Sequence, residues 1–212
     1  MAELVKSLDK DLEKKGTGER SHPLKPRTEE VYSEAAKLFR QTGYLNTPLV
    51  AIGRELNIQK ASLYYYIKDK ESLLFEILNR TMDTMLEAVG KLPIEDLTPD
   101  KKLVRVTYAH VVNASRHLNE FSVLLHDTKH LKPDLRELIL SKRDQYEKVF
   151  LGIINEGISK NIFVNQDPKM LVYLILGSCN WIYQWYSLQG SKSPEQIARI
   201  FSDVFLNGLL RK

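Results

Sequence analysis

The stretch TPLVAIGRELNIQKASLYYYIKDKE, residues 47–71, decides how the chain is read. Thr47 before Pro48 pairs a hydroxyl that can cap free N–H groups with a residue whose missing N–H costs nothing at the first helical position, so a helix is expected to start there. Leu49, Ile52 and Leu56 share one face at helical spacing, and Gly53 beside them holds no neighbour away. Asn57 enters the left-handed region at modest cost, which permits a sharp turn. A second helical run, 58–67, then turns Ile58, Leu63 and Ile67 inward and Gln59, Lys60, Ser62, Tyr65 and Lys68 outward. This is the helix-turn-helix pattern, whose second helix enters the DNA major groove while the first crosses the backbone. No acidic residue lies between Glu55 and Asp69, so nothing on the reading helix repels phosphate. An ordinary αα-hairpin has the same outline. The small residue, the turn residue and the inward apolar residues in register favour DNA.

Around this stretch, Ala35-Ala36-x-Leu38-Phe39, Gly43-Tyr44, Thr47, Ile52, Leu63-Tyr64-x-Tyr66-Ile67 and Lys70-Glu71-x-Leu73-Leu74 agree in spacing and in type with one known pattern. They resemble the N-terminal domain of TetR-type repressors, from Thr28 to Leu78. Gln59 and Asn57 depart from the serine and glycine that the family often has there. The resemblance implies a homodimeric, all-α repressor: an N-terminal three-helix helix-turn-helix DNA-binding domain, then a C-terminal helical domain for ligand binding and dimerisation. It also implies that Thr47, Tyr64, Tyr66 and Lys70 contact phosphate, whereas Gln59, Lys60, Ser62 and Tyr65 are read from their outward position as base or groove contacts. Aromatic packing between helices is the other reading of Tyr64 and Tyr66.

At 212 residues with 43% hydrophobic side chains, the chain can bury a sizeable core. A net charge of +4 does not by itself identify a nucleic-acid binder. The single cysteine, Cys179, excludes an internal disulfide framework and suits a reducing compartment. No signal peptide or membrane span is legible, and a cytoplasmic location is expected. There is no phosphate-cradling glycine loop and no nucleophile elbow, so neither an enzyme nor a cofactor is expected.

Three regions are expected: an N-terminal extension at 1–26, a DNA-binding domain at 27–90 and a ligand-binding and dimerisation domain at 91–212. In the extension, Leu4, Val5, Leu8 and Leu12 suit a short amphipathic helix. Lys14, Lys15, Arg20, Lys25 and Arg27 suit either a basic arm along DNA or a solvated tail. A long helix after Asp69 runs to Gly90. Beyond it, Thr98-Pro99, Lys132-Pro133, Asp167-Pro168 and Ser193-Pro194 mark helix starts, with Gln196 completing a capping box. Helices are expected at 99–117, 120–128, 133–160, 167–189 and 194–210.

In the helix 167–189, Trp181 and Trp185 lie a turn apart, as do Asn180 and Gln184. This surface serves an effector pocket or a subunit seam, and the sequence does not separate the two. A buried Asn180 needs a partner, and Arg143-Asp144-x-Tyr146 lies mid-helix on the preceding long helix. A satisfied polar cluster and a ligand anchor are both consistent with that. These residues, with Asn155-Glu156-Gly157, Phe163 and Gly177, look like the C-terminal domains of TetR-type repressors of fatty-acid and sterol degradation. That likeness implies a small apolar effector, an acyl-CoA thioester, with Arg105, Arg116, Lys142 and Arg143 as phosphate partners. The candidate effector residues are therefore Arg105, Arg143, Tyr146, Asn180, Trp181, Gln184 and Trp185, and the expected partners are a double-stranded operator and a second copy of the chain. His126 and His130 with Asp127, and His110 with His117, have spacings open to a metal, but core or solvated histidines account for them and no metal site is assigned. The rival reading is a helical carrier of an apolar ligand that does not regulate DNA.

Overall fold

The computed structural model describes residues 26–187 and 189–210. The expected N-terminal helix and, apart from Arg27, the basic arm lie outside the described residues. Among those described, the regular elements are all helices, and one isolated antiparallel bridge joins Phe163 to Leu210.

In chain order the helices are α1 (Pro26–Thr42), α2 (Leu49–Glu55), α3 (Lys60–Leu63), α4 (Lys70–Gly90), α5 (Pro99–Arg116), α6 (Leu118–Asp127), α7 (Pro133–Ser159), α8 (Pro168–Asn180), α9 (Ile182–Trp185) and α10 (Pro194–Leu209). A 3-10 turn, Thr128–His130, follows α6. Two compact units form. One holds residues 26–84 and 117–143, the other residues 85–116 and 144–210. Compactness therefore does not follow a single joint after residue 90. Residues 117–143 join the helix-turn-helix segment because α1 packs along α6.

In the first unit, α1 buries Val31, Ala35, Ala36 and Phe39. It stops at Gly43, whose φ of +84° is left-handed and whose N–H donates to the Phe39 carbonyl at 2.8 Å. The Arg27 guanidinium donates to the Leu56 carbonyl at 2.8 Å, tying the start of α1 to the end of α2.

In the second unit, α5 packs along α10 and also meets α8 and α9. The expected caps are present: Asp167 accepts from the backbone N–H groups of Lys169 and Met170, and Ser193 with Gln196 forms the capping box. The expected helix 167–189 is interrupted. The Gln184 N–H reaches back only to the Trp181 carbonyl, an i to i+3 bond that tightens the chain, and Tyr186 is already extended. At the end of α7, the Phe163 ring lies where a Cβ on Gly157 would sit, 2.0 Å from its nearest atom. Phe163 and Ile162 both donate to the Gly157 carbonyl, and Val164 donates to that of Leu209.

Candidate nucleic-acid interface and effector site

The turn between α2 and α3 is built from two backbone requirements. Asn57 adopts φ +53°, and the Ile58 N–H donates to the Gly53 carbonyl at 2.8 Å. A Cβ on Gly53 would come within 2.8 Å of the Ile58 carbonyl oxygen, so the space that glycine provides is taken by the turn's own backbone. The run 58–67 is not one regular helix. Only Lys60–Leu63 is α-helical, and Tyr65 and Tyr66 then donate to Ser62 and Leu63, three residues back. Leu63 is fully buried and Ile67 nearly so, which fixes this piece from inside. Gln59, Lys60, Ser62 and Tyr65 are exposed as expected, Tyr65 at 74%, and Tyr64 is exposed as well. Tyr66 is half-buried, with its ring edge-on to that of its neighbour Tyr65 at 5.2 Å.

Thr47 departs from expectation. Pro48 occupies the N-cap of α2, and no side chain caps that helix. The Thr47 hydroxyl instead donates to the Gly43 carbonyl at 2.8 Å and meets the Thr42 hydroxyl at 2.7 Å, with only 2% of the residue exposed. Carbonyls left open by the end of α1 lie closer than the N–H groups of α2, and they win. Lys70 is half-buried. Its ammonium sits 4.5 Å above the centre of the Tyr44 ring and donates to the Leu45 carbonyl at 3.3 Å. Burial pushes its pKa down, while the Asp127 carboxylate pulls it up. A lysine ammonium carries three donors, so the Leu45 contact does not exhaust it. His130 stacks on Tyr44 at 5.6 Å, and Glu71 pairs with Lys132 at 3.0 Å. The start of α4 and the α1–α2 loop are thereby held against the segment 127–132.

In the second unit, Tyr146 and Asn180 are brought together by a residue that sequence reasoning left out of the site. The His110 Nδ1 lies 3.0 Å from the Tyr146 hydroxyl, and the Asn180 side chain hydrogen-bonds the same imidazole. Phe150 closes the group, its ring 5.6 Å from Tyr146 and edge-on to His110 at 6.3 Å. Burial lowers the His110 pKa to about 4 against a smaller upward pull from Asn180, and burial raises those of Tyr146 and Cys179. The three groups are uncharged at neutral pH. Arg105, on α5, is buried as well.

The remaining candidates lie elsewhere. Arg143 is exposed, and Gln184 donates to the Tyr183 hydroxyl at 2.8 Å. Trp181 and Trp185 are 58% and 47% exposed, and Tyr173, Leu174, Ile200 and Val204 on α8 and α10 are exposed as well. His110 carried no local signal: its partners sit 36 residues away on α7 and further still on α8. Among the described residues, no helix is long and apolar enough to cross a membrane.

Residues 31–77 match the family described as bacterial regulatory proteins, tetR family, and residues 96–209 match the tetracyclin repressor-like C-terminal domain. The chain is 35% identical over 166 residues to the HTH-type transcriptional regulator HbdR of Aromatoleum sp. (strain CIB), covering 76% of this chain and 69% of HbdR. It is 24% identical over 186 residues to the HTH-type transcriptional repressor KstR2 of Mycolicibacterium smegmatis (strain ATCC 700084 / mc(2)155), covering 86% of this chain and 90% of KstR2. It superposes with a TM-score of 0.74 on AibR, solved in complex with isovaleryl coenzyme A and operator DNA, at 26% identity over 84% of this chain and 97% of that one.

Proposed function

Since the chain belongs to the TetR family of bacterial regulatory proteins, we propose that it is a repressor that binds a near-palindromic operator as a dimer and is released by an acyl-CoA thioester. The observation that carries the DNA half is the α3 turn. Buried Leu63 and Ile67 hold it, while Gln59, Lys60, Ser62 and Tyr65 face outward with hydroxyl, amide, ammonium and phenol groups suited to base edges and phosphates. Tyr64 and Lys70 stand at its flank as phosphate contacts. Two such turns in a dimer, about 34–36 Å apart, would meet successive major grooves on one side of a duplex.

The exposed apolar residues of α8 and α10, with Trp181 and Trp185 beside them, support the second copy as their cover. The effector class is supported by AibR, a similar protein solved with isovaleryl coenzyme A. The polar interior of the second unit, with Tyr146 and Asn180 around His110, is the effector site in this reading. A ligand that binds one subunit shape better than the other shifts the pair of reading turns away from operator spacing.

The test is a footprint of the full chain on DNA flanking its gene, with and without butyryl-, octanoyl- and palmitoyl-CoA. A protected near-palindrome that is lost on adding one thioester supports the reading. Protection of no sequence at low salt would leave a helical ligand carrier instead, and protection indifferent to every thioester would remove the effector class.

A further inference from the structure

The interior of the second unit contains more hydrogen-bonding capacity than its own residues use. A neutral imidazole has one donor and one acceptor, so the Asn180–His110–Tyr146 chain runs in one of two directions. When Nδ1–H donates to the Tyr146 oxygen, the phenol O–H is left to point onward. When the phenol donates to Nδ1, the ring donates to the Asn180 oxygen and the Asn180 NH2 is left over. In the first direction the chain ends inside the unit on the phenol O–H; in the second it ends on the amide of Asn180, a half-buried residue. One turn earlier on α5, about 60° round the helix from His110, the Thr107 hydroxyl is fully buried and finds no hydrogen-bond partner among the described residues. The Ser202 hydroxyl on α10, which packs along α5, is buried in the same condition. Buried polar groups are ordinarily satisfied, so orphans of this kind need an explanation.

Resting on the effector reading above, we propose that Tyr146 and Asn180, aligned by His110 and joined by the Thr107 hydroxyl, anchor a neutral acceptor oxygen of the effector: the carbonyl of an acyl thioester, and not a free carboxylate. Donors in surplus call for an acceptor. The cluster is uncharged, because burial holds His110 neutral down to about pH 4 and keeps the Tyr146 phenol and Cys179 thiol protonated. A carboxylate placed there would bring a charge with no partner on this face, since Arg105 lies about 140° round α5 from His110. A thioester carbonyl needs only donors, and the Phe150 ring beside the cluster suits the acyl carbons next to it.

The test compares each acyl-CoA with the S-alkyl-CoA of equal chain length, a thioether lacking only the carbonyl oxygen, by calorimetry on the full chain at butyl, octyl and hexadecyl lengths. The natural sequence should bind the acyl form about tenfold tighter, the effect expected of one buried neutral hydrogen bond. In Tyr146→Phe that ratio should fall toward one, and Thr107→Val should narrow it. Each ratio is taken within one protein, so a general loss of stability in a variant cancels. Equal affinity for acyl and alkyl forms in the natural sequence overturns the anchor while leaving the effector class standing. A ratio unchanged in Tyr146→Phe overturns it too. No heat from any thioester or thioether overturns the effector class and the anchor with it.

Discussion

Acidification should destabilise this protein through His110, and below about pH 4.5 also through the carboxylates of Asp69, Glu71, Glu156 and Glu195, whose pKa values lie below their ordinary ones. His110 is fully buried and its pKa is lowered from 6.5 to about 4. Between those values the unfolded chain takes up a proton that the folded chain refuses, so its contribution is fully present above pH 6.5 and is lost as the pH falls toward 4. Each pH unit across that window removes about 1.4 kcal/mol. The whole window removes on the order of 3 kcal/mol, a large part of the stability of an ordinary domain. Tyr146 and Cys179 beside it are neutral throughout and add nothing to the slope. Asp127, whose pKa burial raises, works in the opposite sense and stabilises on acidification. The assay is therefore a difference: urea unfolding of the natural sequence and of His110→Asn at half-unit steps from pH 7.5 to 4. The variant should be less stable at pH 7 and lose less on acidification, so the two curves converge. Parallel curves would refute the reasoning, because they would mean that His110 titrates alike in both states.

Three further outcomes follow from residues already placed. Lys60→Ala should weaken operator binding and lower the slope of log affinity against log salt by about one, read by fluorescence anisotropy across a salt series. Gly53→Ala drives a Cβ onto the Ile58 carbonyl oxygen and should cost about 1–3 kcal/mol in urea unfolding, with loss of operator binding. Leu174→Asp, on the exposed apolar face of α8, should convert a dimer to a monomer in light scattering.

What the sequence made legible was what short-range chemistry determines. Asn57, Asp167 and the Ser193–Gln196 box all act within four residues, and each does what the sequence around it predicts. Thr47 was misread because two sets of backbone groups compete for one hydroxyl, and only the folded loop shows that the carbonyl of Gly43 is nearer than the N–H groups of α2. The break at Trp181 left no trace in the apolar pattern, because a one-residue tightening keeps hydrophobic residues on both sides. A buried Asn180 calls for a partner and Tyr146 lies on the preceding long helix, yet the imidazole that joins them sits on α5, whose approach depends on how three helices pack. Trp181 and Trp185 share a helical face on paper, and their exposure separates them from that cluster.

The α3 segment has a practical corollary. Four residues make one turn of helix, too short to overcome the cost of nucleation in water. A synthetic peptide copied from 58–67 would be a coil, and decoys of that kind should compete poorly for an operator. Transplanting the reading surface into another protein would require the scaffold that shapes it: Gly53 and Asn57 at the turn, Leu63 and Ile67 beneath, and Arg27 clasping the end of the preceding helix.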